Sequence, residues 1–188
     1  MKILFISLGC DKNLADSEEM LGLLTGSGHE IVDSEEEADA IVINTCCFIH
    51  DAKEESVNTI LEMSEYKKIG NWKALIVTGC MAQRYKEEIT QEIPEVDAVL
   101  GTTSYGDIVK ALNEAQAGNV FQEFRDINEL PEDSGRRVLT TGGHFGYLKI
   151  AEGCDKHCTY CIIPSLRGKF RSVPEERLLA QAEYMASQ

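Results

Sequence analysis

The chain has 188 residues, 43% of them hydrophobic and 27% charged, with a formal net charge of −14. That supplies apolar material for one core, and no apolar run approaches the roughly 18–20 residues that span a bilayer. The only basic cluster is Arg167-Gly168-Lys169-Phe170-Arg171, so the balance leans away from stable nucleic-acid binding and towards a basic protein partner.

Met1 to Phe5 holds one Lys and a short apolar run with no small-residue cleavage site, which reads as a buried first strand of a cytoplasmic protein rather than a signal peptide. Lys2 to Leu8 continues that strand to Gly9. Asp16 and Glu19 have the spacing of a capping box for a helix through Met20, Leu21 and Leu24, ending near Gly26. Ala40 to Ile43 is a second apolar run, and residues from about Asp51 to Lys68 show helical spacing at Val57, Ile60, Leu61 and Ser64. Ala74 to Val77 repeats the strand pattern, and a helix then runs to Ile93, where Pro94 stops it. Asp97 to Gly101 predicts a fourth strand, with a helix after Ser104. Strands separated by helices predict an α/β fold, a doubly wound parallel sheet with helices on both faces.

From about Asp126 to Gly143 the pattern lapses into Asn128, Pro131, Asp133, Ser134 and several glycines, which reads as a linker. Phe145 to Ile150 predicts a new strand, followed by a cysteine-rich loop and a helix from about Val173, with Ser172 and Glu175 as its capping box and Pro174 in its first turn. One strand, one loop and one helix cannot bury a core alone, so residues 144–188 read as the start of a truncated second domain.

Seven cysteines are the informative count. In a cytoplasmic chain they point to metal or redox chemistry rather than structural disulfides. Cys154, Cys158 and Cys161 stand in one C-x3-C-x2-C loop beside Tyr160. Thiolates suit iron–sulfur clusters, and a cubane held by three of them leaves one iron with an open position. The alternatives are a zinc site that also uses His157, or three metal-free buried thiols. His157 lies between Cys154 and Cys158, whereas zinc motifs come as separated pairs.

Cys10, Cys46 and Cys80 each close an expected strand, after Leu8-Gly9, Asn44-Thr45 and Thr78-Gly79. Loops at the carboxyl ends of parallel strands share one edge of the sheet, so three thiols there predict a second nest assembled from distant sequence. The alternative is that each is a small buried hydrophobe. Cys47, on the other side of an extended backbone from Cys46, reads as structural.

These segments, with Glu152-Gly153-Cys154 through Cys161-Ile162-Ile163-Pro164, resemble the radical S-adenosylmethionine methylthiotransferases. The resemblance implies two 4Fe–4S clusters, an auxiliary one on Cys10, Cys46 and Cys80 and a second on Cys154, Cys158 and Cys161 that binds S-adenosylmethionine, with Tyr160 as a further cofactor contact. It implies an N-terminal methylthiotransferase domain over residues 1–125, a linker over 126–143, and from 144 the first strand–loop–helix of a radical S-adenosylmethionine partial (β/α) barrel. Lys12-Asn13-Leu14 and Asp16-Ser17-Glu18, with the stretch Pro164 to Ser172, resemble the branch that modifies ribosomal protein uS12. That branch adds a methylthio group to the β-carbon of an aspartate and draws electrons from a donor such as flavodoxin or ferredoxin. The alternatives are the branch that modifies N6-isopentenyladenosine of tRNA at C2, and a non-catalytic metal-binding module. Arg167, Lys169 and Arg171 are expected either to contact the cofactor carboxylate or the substrate, or to form a solvated basic stretch. A chain that holds so little of the barrel is expected to turn over poorly or not at all.

Overall fold

The computed structural model describes residues 1–69, 72–132, 135 and 137–188. Six parallel strands form one sheet: β1 (Lys2–Ser7), β2 (Glu30–Val32), β3 (Ala40–Thr45), β4 (Ala74–Gly79), β5 (Ala98–Leu100) and β6 (Phe121–Glu123), in the order β2-β1-β3-β4-β5-β6. Helices α1 (Asp11–Gly26), α2 (His50–Ile69), α3 (Cys80–Arg84), α4 (Lys86–Glu92) and α5 (Ile108–Gln116) connect them, a 3-10 turn at Tyr105–Asp107 leading into α5.

The continuous apolar runs of β3 and β4 make them central strands, buried along their whole length as a sheet covered on both faces requires. Their side chains alternate between two cores. Ala40, Val42, Ala74 and Ile76 pack with Met20 and Leu24 of α1 and with Ile108 and Leu112 of α5. Ile41, Ile43, Leu75 and Val77 pack on the opposite face with Ile60 and Met63 of α2 and Met81 of α3. The doubly wound fold expected from the strand–helix alternation is therefore present. β2 and β6, three-residue edge strands, were not foreseen, being too short to show a period.

The single helix expected before Pro94 is two, α3 and α4, separated at Tyr85, and three further expectations need correction. First, α1 starts five residues before the expected cap, at Asp11, and Asp16 and Glu19 lie buried inside it. Their carboxylates serve partners from distant segments, so no capping box forms: Asp16 pairs with Lys149 and Arg167, and Glu19 accepts the Tyr105 hydroxyl at 3.0 Å. Second, residues 145–150 form no strand; side chains take the Phe145 and Tyr147 carbonyls, Arg137 Nη2 donating to the latter at 2.7 Å. Only β7 (Ala151–Glu152) is extended, paired antiparallel with β8 (Arg171–Ser172), and a short helix α6 (Ile163–Arg167) lies between them. Third, α7 (Glu175–Ser187) has Pro174 as its N-cap without a side-chain cap bond, since Ser172 is committed to β8.

In the stretch read as a linker, Asp133 and Ser134 lie outside the described residues. Its residues 137–140 dock on α1: Val138 N donates to the Glu18 carbonyl at 3.0 Å, and Arg137 and Thr140 bind the Glu18 carboxylate.

Candidate metal centre

Between β1 and β3 the winding reverses, since β1 leads through α1 to β2 on one side while β3 leads through α2 to β4 on the other. Such a reversal leaves a crevice beyond the carboxyl ends of the strands. Cys10, Cys46 and Cys80 follow β1, β3 and β4, three neighbouring strands, and all three line a single pocket of about 960 Å³. Phe48, Ile49 and Leu166 supply apolar wall and Arg167 a cation.

Two glycines allow the strand ends to approach so closely. Gly9 has φ +96°, and a Cβ there would stand 2.7 Å from the Cys46 Cβ. Gly79 has φ +93°, and a Cβ would run into Asn44 Oδ1 and stand 2.5 Å from the Thr45 carbonyl oxygen. Gly9→Ala is therefore expected to cost about 1–3 kcal/mol through the strained backbone and to displace Cys46. Chemical denaturation and reaction of the thiols with a disulfide reagent check this; an unchanged midpoint together with unchanged thiol reactivity contradicts it.

Polar side chains fix the rim. Asn13 Nδ2 donates to the carbonyls of Leu8 at 3.0 Å and Thr45 at 2.9 Å, tying the ends of β1 and β3 together. Asn44 Nδ2 donates to the Asn13 carbonyl and to Ser17 Oγ, both at 2.9 Å. Ser56 Oγ accepts from Cys46 N at 3.0 Å and donates to its carbonyl at 2.8 Å. Asn13, Asn44 and Ser56 carry no chemistry of their own; the resemblance includes Asn13 and Asn44, and nothing in the sequence singled out Ser56. Cys47 does not line the pocket: it is buried in the core on the α2 face, where its Sγ lies 3.3 Å from the Cys80 carbonyl.

Burial pushes the Cys80 thiol up to about 11, against the pull of the Arg167 guanidinium beside it. Burial likewise raises Cys47, with Arg84 opposing.

The second set lies on the surface loop between β7 and α6. Cys154 N donates to the Gly168 carbonyl at 3.0 Å, Phe170 N to Asp155 Oδ1 at 2.9 Å, and Cys161 N to the Cys158 carbonyl at 3.0 Å. Cys158 and His157 are exposed, and Tyr160 is 90% exposed. Among the described residues, no three Cys, His, Asp or Glu side chains are gathered as tightly as one metal ion requires. The ligands of a cubane each hold a different iron and so stand further apart than those of one ion. All seven cysteines are free thiols, three of them at the strand ends and three in the surface loop.

Arg167 departs from the expectation of a solvated basic stretch. It is 3% exposed, and its guanidinium is bonded to Asp16, Glu152 and Asn13. Lys169 is exposed, while Arg171 donates back to the carbonyls of Arg167 and Lys169.

Several curated proteins are similar over nearly the whole chain. "Ribosomal protein uS12 methylthiotransferase RimO" of Lachnoclostridium phytofermentans is 63% identical over 186 residues, which is 99% of this chain and 42% of that protein. The protein of the same name from Clostridioides difficile is 48% identical over 99% of the chain and 42% of its own length, and that of Solibacter usitatus 49% identical over 100% and 40%. The chain thus spans about two fifths of these relatives. Residues 2–101, which hold the switch-point crevice and the cysteines at its three strand ends, match a described family over more than half of the chain. On that match the chain belongs to the family described as "Uncharacterized protein family UPF0004".

Proposed function

We propose that the protein this chain represents is a radical S-adenosylmethionine methylthiotransferase that modifies the β-carbon of an aspartate of ribosomal protein uS12. The observation that carries the reading is the gathering of Cys10, Cys46 and Cys80 around one switch-point pocket, in a chain that also holds a C-x3-C-x2-C loop. The names of the relatives and the Lys12-Asn13-Leu14 and Asp16-Ser17-Glu18 segments support the uS12 branch.

In this reading residues 1–125 form the domain of the auxiliary 4Fe–4S cluster, 126–143 join it to the second, and 144–188 begin the radical S-adenosylmethionine domain. Cys10, Cys46 and Cys80 hold the auxiliary cluster, and Cys154, Cys158 and Cys161 hold the cluster that binds S-adenosylmethionine. Bound together, these groups supply a radical able to break an unactivated C–H bond, which no side-chain acid or base can do. The chain's own contribution is to place the thiols, with Asn13 and Ser56 fixing the strand ends that bear them. A net charge of −14 suits a basic protein substrate better than a phosphate backbone. The reading places the protein in the cytoplasm with an electron donor such as flavodoxin or ferredoxin; among the described residues no helix is long and apolar enough to cross a membrane.

Iron and sulfide counting on anaerobically reconstituted chain tests the ligand sets. Cys10→Ala and Cys154→Ala are each expected to lose about four irons, independently of one another. Zinc without iron in the anaerobically purified chain overturns the reading. In the full-length protein, methylthiolated tRNA alongside unmodified uS12 retains the chemistry and overturns the substrate.

A further inference from the structure

Arg167 belongs to neither cysteine set, yet it is bonded to the surroundings of both. It ends α6, just beyond the second cysteine loop. Its Nη2 donates to Asn13 Oδ1 at 2.6 Å, and its Nη1 to Asp16 Oδ2 at 2.7 Å and Glu152 Oε1 at 3.2 Å. Asn13 is the amide that clamps the ends of β1 and β3, and its Oδ1 also lies 3.8 Å from Cys80 Sγ. Glu152 stands two residues before Cys154. The guanidinium also lines the pocket shared by Cys10, Cys46 and Cys80.

A structural ion pair alone needs no contact with Asn13. The fork divides its donors between a carboxylate pair and the amide that sets the rim of the first nest. The local charge is also balanced from several sides: Lys149 reaches Asp16 and, at 3.0 Å, Glu152, while Glu19 lies buried nearby. The Glu152 carboxylate pairs with Lys149 at 3.0 Å and with Arg167 at 3.2 Å.

We propose that Arg167 is a positioning residue of the first nest, holding Asn13 across the strand ends and setting a fixed cation beside Cys80, so that the segment bearing the second cysteine loop tunes the group held by the first. This rests on reading the first nest as a cluster site. Hydrogen bonds to the sulfurs and nearby net charge set the potential of such a group, and a buried charge acts more strongly than an exposed one. Reduction adds an electron, which a neighbouring cation favours.

The test uses the reconstituted chain carrying Cys154→Ala, Cys158→Ala and Cys161→Ala, so that only the first nest binds iron, with the midpoint potential followed by electron paramagnetic resonance. Arg167→Gln is expected to lower the reduced-to-oxidised ratio at fixed potential about tenfold, a shift of about 59 mV for one electron. Arg167→Lys restores most of it. Glu152→Gln shifts the ratio the opposite way, because it removes an anion that offsets the cation. Opposed shifts at unchanged iron content do not follow from a loss of packing. Iron retained with the potential unmoved by Arg167→Gln overturns the proposal alone, whereas a parent chain that takes up no iron overturns the cluster reading beneath it. If Arg167→Gln fails to hold iron, Glu152→Gln decides: an upward shift supports the proposal and an unchanged potential overturns it.

Discussion

Asp16→Ala is expected to destabilise the chain by about 3–5 kcal/mol, the cost of stranding buried charges by removing one partner. Asp16 is 3% exposed, and it takes Lys149 on one carboxylate oxygen and Arg167 on the other. Without it, two buried cations share Glu152 and the more distant Glu19. Asp16→Asn keeps the volume and part of the hydrogen bonding, so it should cost less than the alanine. Urea denaturation of the metal-free chain at pH 7 measures both; a loss under about 1 kcal/mol for the alanine, the range of an exposed pair, contradicts the expectation.

The same network sets the response to acid. Glu152 is held down to about 2, below the ordinary 4.5, by Lys149 and Arg167. A carboxyl depressed by folding contributes stability that is complete above its unfolded value and is lost as pH falls through the folded one. The wild-type chain is therefore expected to weaken between about pH 4.5 and 2. Glu19 acts with the opposite sign: burial raises it above the ordinary 4.5, so its ionisation costs stability as pH rises past that value. Lys149 is raised by its acidic neighbours, and its contribution is lost only in strong alkali. Replacing Glu19 with Gln should thus remove a loss of stability as pH rises past 4.5, while replacing Glu152 with Gln should remove part of the acid loss.

The parts of this fold that were legible in the sequence are those built by local pattern. β3 and β4 read as apolar runs because both of their faces are buried, and their alternation between two cores needs only a period of two. Cys10, Cys46 and Cys80 drew attention because a thiol recurs at equivalent strand ends, a regularity that survives without knowledge of strand order. What stayed hidden depends on contacts between distant positions. Asp16 and Glu19 read as a capping box, yet Asp16, Ser17, Glu18 and Glu19 are all buried, because their partners lie far along the chain. Arg137 is 119 residues from Glu18, and Arg167 is 151 from Asp16. No helical period encodes such pairings. For the same reason Arg167 looked like one member of a basic run rather than a buried fork, and Ser56 like any polar position on α2.

Glu18 supplies the second large effect. Its carboxylate is fully buried and accepts from four donors: Arg137 Nε at 2.7 Å and Nη2 at 2.6 Å, Thr140 N at 2.8 Å and Thr140 Oγ1 at 2.9 Å. Arg137 is itself 5% exposed and spends its remaining donors on the Tyr147 carbonyl and, at 3.8 Å, on Met185 Sδ. Glu18→Ala strands that guanidinium and two donors of Thr140, for an expected loss of about 3–5 kcal/mol. Arg137→Met leaves a buried carboxylate with only the two Thr140 donors and should cost a similar amount. The double variant removes both charges and should cost less than the sum of the two, with a coupling of about 1–3 kcal/mol. Because the Thr140 amide donates to the Glu18 carboxylate, Glu18→Ala should also speed hydrogen exchange at Thr140 while the central strands β3 and β4 keep their protection. Simple additivity of the two variants, or equal acceleration in β3 and β4, would instead make Glu18 part of the common core rather than the anchor that fastens the stretch from Arg137 to Tyr147 onto α1.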